Sequence, residues 1–154
     1  MDTSIVCGVD GSPDSDAALA VAARMAERLG ARLVLAHVAE PVLVPYAHAA
    51  PFGGMSTAGP LAAHEEKLAQ GEAALRLLEQ AAEAGGVAGA EHRVAIGLPA
   101  ERLAEIADDE DAELIVVGSR GRGAFKAAFL GSVSASLIGV ARCPVLVVPP
   151  GAAS

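Results

Sequence analysis

Five short apolar runs, separated by segments with helical spacing, constrain the fold of this chain more than any other feature. They occupy residues 5–9, 33–38, 92–96, 114–117 and 145–148. Apolar runs of this length, bounded by turn residues, are typical of buried strands. Strands that alternate with helices favour a parallel sheet covered on both faces. The sequence therefore predicts an α/β domain with a mostly parallel sheet and four helices.

The first forty residues contain a complete strand–helix–strand unit. Ser12 precedes Pro13 and Asp14, which is a cap, a proline at the first helical position and an acid in the first turn. Gly30 supplies the stop of this helix. The crossover between two parallel strands is expected to be right-handed.

Three later segments also show helical spacing. One runs from residue 61 to about residue 84, and the stripe expected to face the core comprises Leu61, Leu68, Leu75, Leu78 and Ala82. Pro99 opens a second, in which Leu103 is expected to point inward and the acids of residues 108–111 outward. A third covers roughly residues 132–141. No internal repeat is visible, so residues 1–154 are interpreted as one domain.

Residues 39–60 interrupt this alternation. Four prolines and three glycines break any regular element there, yet the segment also carries Val42, Leu43, Val44, Tyr46 and Phe52. Two interpretations remain open: a mobile segment that becomes partly ordered on binding, or a loop that packs on the surface. Residues 149–154 are expected to be a short tail.

The charge distribution argues against a nucleic-acid partner. The net charge is −8, whereas nucleic-acid binding requires a basic surface. Residues 1–113 carry seven Lys/Arg and nineteen Asp/Glu, a balance of −12, while residues 114–154 carry four basic residues and no acid. A small cationic region on an anionic protein suits a small polyanion, although the acids also simply solvate the outer helices.

Several other classes are disfavoured. No apolar run approaches the roughly 18 residues that span a bilayer, and the residues after Met1 do not resemble a signal peptide, so we expect a cytoplasmic protein without a membrane partner. Cys7 and Cys143 are expected to be small buried apolar residues rather than a redox pair. The four histidines do not cluster, and His37 is expected to be structural.

The segment from Gly118 to Ser134 indicates what the chain binds. It follows a buried strand, is rich in glycine and leads into a helix. In an open parallel sheet, ligands bind beyond the carboxyl ends of the strands. Ser132, Val133 and Ser134 can offer N–H and hydroxyl donors to an anion at the positive end of the helix dipole.

This segment does not match the common phosphate-binding fingerprints. The sequence contains no G-x-x-x-x-G-K-[ST], and no G-x-G-x-x-G follows the first strand. From the residues alone, two interpretations remain: a phosphate cradle, or a tight turn at Gly121 and Gly123 with Ser132 as an ordinary helix cap.

The spacing Gly118-x2-Gly121-x9-Gly131-Ser132 resembles the signature of ATP-binding members of the universal stress protein family. The similarity extends to residues 8–12, 36–38, 114–121 and 143–148, in the same order along the chain. The resemblance implies a five-stranded parallel sheet of order 3-2-1-4-5, usually in a homodimer. In that order the first and fourth strands flank the switch point, where the two principal loops meet.

The resemblance also implies a set of residues around ATP. Gly8, Val9 and Asp10 would line the nucleotide, Val38 and Val117 would contact the adenine, Gly118, Arg120 and Gly121 would approach the ribose and phosphates, and Gly131, Ser132, Val133 and Ser134 would hold the triphosphate. A hydrated Mg²⁺ could be held indirectly by Asp10. The alternative for Asp10 is that it only caps the adjoining turn.

The sequence leaves three functions open. The first is a nucleotide-dependent sensor or regulator in the stress response, the second is a slow Mg-dependent ATPase, and the third is an interaction module that binds AMP or cAMP. No catalytic constellation can be placed from the sequence. Because it is a short apolar edge strand, the last run invites pairing with a second copy, and its members are Val145, Leu146, Val147 and Val148.

Overall fold

The computed structural model describes residues 2–41, 59–120 and 130–152, and within them the chain forms a parallel sheet covered by helices. In chain order the elements are β1 (Ser4–Gly8), α1 (Pro13–Leu29), β2 (Arg32–Ala39), α2 (Gly59–Ala84), β3 (Glu91–Ile96), α3 (Pro99–Asp109), β4 (Ala112–Gly118), α4 (Ser132–Val140) and β5 (Val145–Val148). The strand order is β3-β2-β1-β4-β5, and all pairs are parallel. The predicted fold class and strand order are confirmed.

The sheet separates two apolar cores. Ile5 and Cys7 of β1 point to the side of α1 and α2, where Leu78 is fully buried with them. Val6 points to the opposite side, where α3 and α4 supply Leu103 and Leu137. This alternation follows from the two-residue period of a strand. Because helices cover both faces of the sheet, a ligand site is expected at the ends of the strands.

α1 begins and ends where its sequence signals predict. The Ser12 hydroxyl accepts a hydrogen bond from the N–H of Ser15 at 3.2 Å, and Pro13 occupies the first helical position. Gly30 ends the helix in the left-handed region, with φ of 64°. A side-chain acceptor and a glycine stop thus satisfy the two ends of this helix locally.

The predicted buried stripe of α2 is wrong for three of its five residues. Leu61, Leu68 and Leu75 are 69 %, 56 % and 45 % exposed, whereas Leu78 and Ala82 are buried. The buried positions run at a spacing of four from Ala74, one residue away from the predicted row at Leu75. With 26 residues, α2 is about 39 Å long and exceeds the eight-residue β2, which spans about 26 Å. Burial is consequently confined to the carboxyl-terminal half of the helix.

Glu110 also departs from the prediction that the acids of residues 108–111 point outward. Its side chain is only 10 % exposed and accepts hydrogen bonds from Arg32 and Arg93. Glu91 pairs with the same two arginines, at 2.6 Å and 2.8 Å. These four residues join the amino ends of β2 and β3 to the turn before β4. The network lies at the opposite end of the sheet from the predicted site.

We predict that this network contributes stability that is lost in acid. The hydrogen bond from Arg32 lowers the pKa of Glu91, so the contribution is present above the pKa of the unfolded chain and disappears as pH falls through the lower folded pKa. Glu91→Gln should therefore lower the free energy of unfolding at pH 7, and the difference from wild type should shrink below about pH 4. Urea unfolding at several pH values measures this.

Glu79→Gln, which changes an exposed acid on α2, is the matched control and should have little effect at either pH. An equal loss of stability for Glu91→Gln at pH 3 and pH 7 would contradict the prediction.

Candidate functional site

The carboxyl ends of β1 and β4 lie side by side at the centre of the sheet. Cys7 pairs with Val116, so the next residue of β1, Gly8, lies beside Val117, whose Cγ1 is 3.1 Å from the position of a Cβ built on Gly8. On the other side of β1, the N–H of Val9 donates to the carbonyl of Ala36 in β2 at 2.8 Å. β1 thus has β2 as its neighbour on one side and β4 on the other. The strand order reverses between β1 and β4, and this position is the switch point of such a sheet.

Val38 and Val117 both belong to the α3 and α4 side of the sheet. Val117 is 5 % exposed, and Val38 has intermediate exposure at the end of β2. The apolar surface available to a flat ligand at this edge is thus formed by Val38 more than by Val117. The resemblance alone gave the two residues equal weight.

Asp10 shapes the turn between β1 and α1. Its Oδ1 accepts from the N–H of Ser12 at 2.8 Å, and Gly11 between them has φ of 79°. This is the turn-capping role that the sequence left open for Asp10. Oδ2 of the same carboxylate has no hydrogen-bond partner among residues 2–41, 59–120 and 130–152. One oxygen is therefore used by the turn and the other remains available for a ligand.

His37 connects the end of β2 to the same turn. Its Nδ1 lies 2.6 Å from the carbonyl oxygen of Val9, a distance at which a protonated Nδ1 donates to that carbonyl. The described part of the chain contains no group of three or more His, Cys, Asp or Glu side chains that could hold a metal ion. The contact gives His37 the structural role expected from the sequence.

Three hydrogen bonds join the end of β4 to β5 and to the start of α4. The N–H of Ser119 donates to the carbonyl of Val148 at 2.9 Å, and the N–H of Gly131 donates to the carbonyl of Ser119 at 2.6 Å. The Ser134 hydroxyl donates to the carbonyl of Gly118 at 2.8 Å. Because the hydroxyl of Ser134 is committed in this way and its residue is buried, only its backbone N–H is available to an anion.

Gly118 is required by a close approach rather than by a left-handed conformation. A Cβ at this position would lie 2.7 Å from the carbonyl carbon and 2.8 Å from the Cβ of Asp14, in the first turn of α1. Contacts that short do not occur between real side chains, so any larger residue would push α1 away from β4. The first glycine of the motif consequently allows the two halves of the site to touch.

Asp14 is the residue that sequence reasoning missed. Its Oδ2 accepts from the Ser119 hydroxyl at 3.0 Å, from the backbone N–H of Arg120 at 3.1 Å and from Nε of Arg120 at 3.4 Å. The sequence identified Asp14 only as a first-turn acid. The adjacency of β1 and β4 in the strand order was the signal that could have placed it near residues 118–120.

The amino end of α4 differs from that of α1. Its N-cap is Gly131, which makes no side-chain cap hydrogen bond, and its first turn contains no acid. Ser132 is therefore the first helical residue and not the cap that the alternative interpretation assumed. The N–H groups of Ser132, Val133 and Ser134 have no acceptor in the described ranges. Three donors at a helix start, without an acceptor in the described part of the chain, form a favourable environment for an anion.

Some predicted positions lie outside the described residues. They are Gly121 and Gly123, most of the 39–60 segment and the last two residues of the tail. Gly8, Val9, Asp10, Val38, Val117, Gly118 and Arg120 lie at the carboxyl edge of the sheet, and Gly131 to Ser134 are joined to that edge through Gly118 and Ser119. Among the described helices, none combines the length and apolar character that a bilayer crossing requires.

Known proteins are similar to this chain in sequence over most of its length. A protein from Thermus aquaticus, a universal stress protein in the QAH/OAS sulfhydrylase 3' region, is 37 % identical over 146 residues, which is 94 % of this chain and 97 % of that protein. A universal stress protein of Mycolicibacterium smegmatis is 36 % identical over 149 residues. That match covers 94 % of this chain but only 47 % of the mycobacterial protein.

Solved structures give the same result for the fold. Universal stress protein UspA from Lactobacillus plantarum superposes with a TM-score of 0.73 at 22 % identity, over 95 % of this chain and 97 % of that one. A universal stress protein crystallised in complex with cAMP superposes with a TM-score of 0.68 at 26 % identity, over 97 % and 98 % of the two chains. The model of the universal stress protein family matches residues 1–149. This chain therefore belongs to the universal stress protein family.

Proposed function

We propose that this chain binds an adenine nucleotide, with ATP as the preferred ligand, between the carboxyl ends of β1 and β4, and that it acts as a nucleotide-dependent sensor or regulator in the stress response. The observation that carries the proposal is the open amino end of α4, where three N–H donors lack acceptors within the described residues. A family relative at 26 % identity was crystallised with cAMP, which supports the adenine nucleotide as the class of ligand.

In this proposal the base and ribose lie over the ends of β1 and β2. Val38 offers a partly buried apolar side chain, and Gly8 offers backbone close to the ligand. Val9 would line the same edge, with its N–H and carbonyl already bonded to Ala36 and His37. Asp10 has one carboxylate oxygen that the turn does not use, and this oxygen would accept from a ribose hydroxyl or from water bound to Mg²⁺. Such a site combines apolar contact for the base with a few placed polar groups.

The phosphates are assigned to the β4–α4 side. Gly118, Arg120 and Gly121 begin the glycine-rich segment, and Gly131 to Ser134 end it. α4 contains no charged residue, while α1 carries Asp14 and Asp16 in its first turn. An anion is repelled by the exposed Asp16 of α1 and attracted by the open start of α4, so the charge distribution favours α4 as the phosphate site.

We predict opposite effects of one added charge on stability and on nucleotide affinity. Ser132→Asp places a carboxylate in the first turn of α4, at an exposed position. It should raise the free energy of unfolding by about 0.5 kcal/mol through the helix dipole, yet weaken ATP binding by about tenfold or more, since it occupies and repels the phosphate position. Calorimetric titration and urea unfolding measure the two effects.

Ser136→Asp is the control for this variant. It adds the same charge at an exposed position in the same helix, beyond the first turn, where the dipole effect has decayed. It should leave ATP affinity within about twofold of wild type. Wild-type protein that gives no binding heat with ATP would refute the proposed function, and equal weakening by both variants would refute α4 as the phosphate site.

A second candidate is a module that binds AMP or cAMP, which the cAMP complex of a relative favours. If the start of α4 holds the β- and γ-phosphates, ATP should bind about tenfold or more tightly than AMP or cAMP, because each further hydrogen bond to a charged group contributes about 1.5–3 kcal/mol. Competition of the nucleotides for one site, followed by calorimetry, tests the order. Affinity for cAMP equal to or above that for ATP would favour the second candidate.

We also propose a homodimer that pairs through β5. This strand pairs with β4 on one side and lies at the edge of the sheet, and Val145, Leu146 and Val147 are only partly buried. The adjacent α4 exposes Ile138 and Val140 and carries no charge. An edge strand with apolar side chains beside an uncharged helix face is a favourable surface for a second copy.

The prediction for this surface is a dimer that one charge disrupts. Wild-type protein at micromolar concentration should scatter light as twice the chain mass of 15.3 kDa, and Val147→Lys should give a monomer. Val94→Lys is the matched control, because Val94 is a half-buried valine on β3, the opposite edge strand. A monomeric wild type, or dissociation by both variants alike, would contradict pairing through β5.

A further inference from the structure

A buried carboxylate joins the two halves of the proposed site. Asp14 is 7 % exposed in the first turn of α1. Through one oxygen it contacts the Ser119 hydroxyl, the Arg120 N–H and the Arg120 guanidinium. Ser119 and Arg120 are the residues that lead from β4 into the glycine-rich segment. Among the described residues, no other side chain forms a hydrogen bond with both of them.

We propose that Asp14 is a positioning residue of the nucleotide site, which fixes residues 118–120 for phosphate binding without contacting the nucleotide itself. This inference rests on the proposed function. It assigns the role to a residue outside the glycine motif, at the start of a different helix.

The geometry favours a backbone anchor over a simple ion pair. The contacts of Oδ2 with the Ser119 hydroxyl and the Arg120 N–H, at 3.0 Å and 3.1 Å, lie within the ordinary range of hydrogen bonds. The contact with Nε of Arg120 is longer, at 3.4 Å. The guanidinium is thus held loosely enough to turn towards a phosphate, while the backbone beneath it stays in place.

The close packing of Gly118 makes this anchor specific. The backbone of Asp14 occupies the space that a side chain at Gly118 would need, so its carboxylate is carried directly to the next two residues. The negative charge of Asp14 is also stabilised by its place in the first turn of α1. It can therefore accept three contacts while largely shielded from water.

Three variants separate positioning from charge. Asp14→Ala removes the acceptor, Asp14→Asn keeps an acceptor without the charge, and Asp16→Ala removes an exposed acid from the same turn. We expect Asp14→Ala to weaken ATP binding by about tenfold, the loss of roughly one to two hydrogen bonds. Asp14→Asn should remain within about threefold of wild type, and Asp16→Ala within about twofold.

Adenosine binding distinguishes the positioning role from general damage to the fold, because such damage would weaken adenosine binding as well as ATP binding. Because residues 118–120 are assigned to the phosphates, which adenosine lacks, adenosine should lose less than about threefold in affinity when Asp14 becomes Ala. Equal losses for adenosine and ATP, or equal losses for Asp14→Ala and Asp14→Asn, would overturn the positioning role. If Asp14→Ala does not fold, Ser119→Ala removes one of the same hydrogen bonds and should show the same preference at a smaller size.

Hydrogen exchange of the Arg120 amide tests the anchor without any nucleotide. Its N–H donates to Asp14, so its exchange rate should rise by about tenfold in Asp14→Ala and stay unchanged in Asp16→Ala. An unchanged rate in Asp14→Ala would overturn the inference. Wild-type protein that binds no adenine nucleotide would overturn the proposed function and the role of Asp14 in it, whereas normal ATP binding by Asp14→Ala would overturn this inference alone.

Discussion

The close contact between the end of β4 and the first turn of α1 is the constraint on which the rest of the site depends. It exists because Gly118 has no side chain, which lets the backbone of Asp14 come within 2.7 Å of the position a Cβ would take. This contact brings the turn after β1 and the start of the glycine-rich segment together at the switch point. The carbonyl of Val148, which accepts from Ser119, and the donors of Gly131 and Ser134 then hold that arrangement from the other side.

The two helix starts beside this contact differ in their caps and in their acids. The start of α1 is satisfied by Ser12 and surrounded by its own acids, one of which is used to hold β4. The start of α4 is glycine, without a side-chain cap or an acid. The domain therefore uses an acid of α1 for assembly on one side and has backbone donors at the start of α4 on the other, an arrangement that suits an anion in a protein with a net charge of −8.

The elements of this fold were predictable because their signals are local. Apolar runs, the cap at Ser12 and the stop at Gly30 depend on residues near one another in the chain, and the structure confirms them. Two errors came from packing that is not local. Leu61 and Leu68 have helical spacing but lie on a part of α2 that the sheet does not reach, and Leu75 lies one residue away from the buried row that begins at Ala74. Glu110 belongs to an acidic run but pairs with two arginines that come from strands.

The sequence by itself determined the class of fold, the glycine spacing and the family, because periodicity and motif spacing are properties of the chain alone. Only the tertiary structure decided how individual side chains are used. It commits Ser134 to the carbonyl of Gly118, uses one oxygen of Asp10 in the turn after β1, and gives Asp14 its partners 105 and 106 residues away. Such partners depend on which strands are neighbours in the sheet, and local sequence patterns do not specify which strands pair.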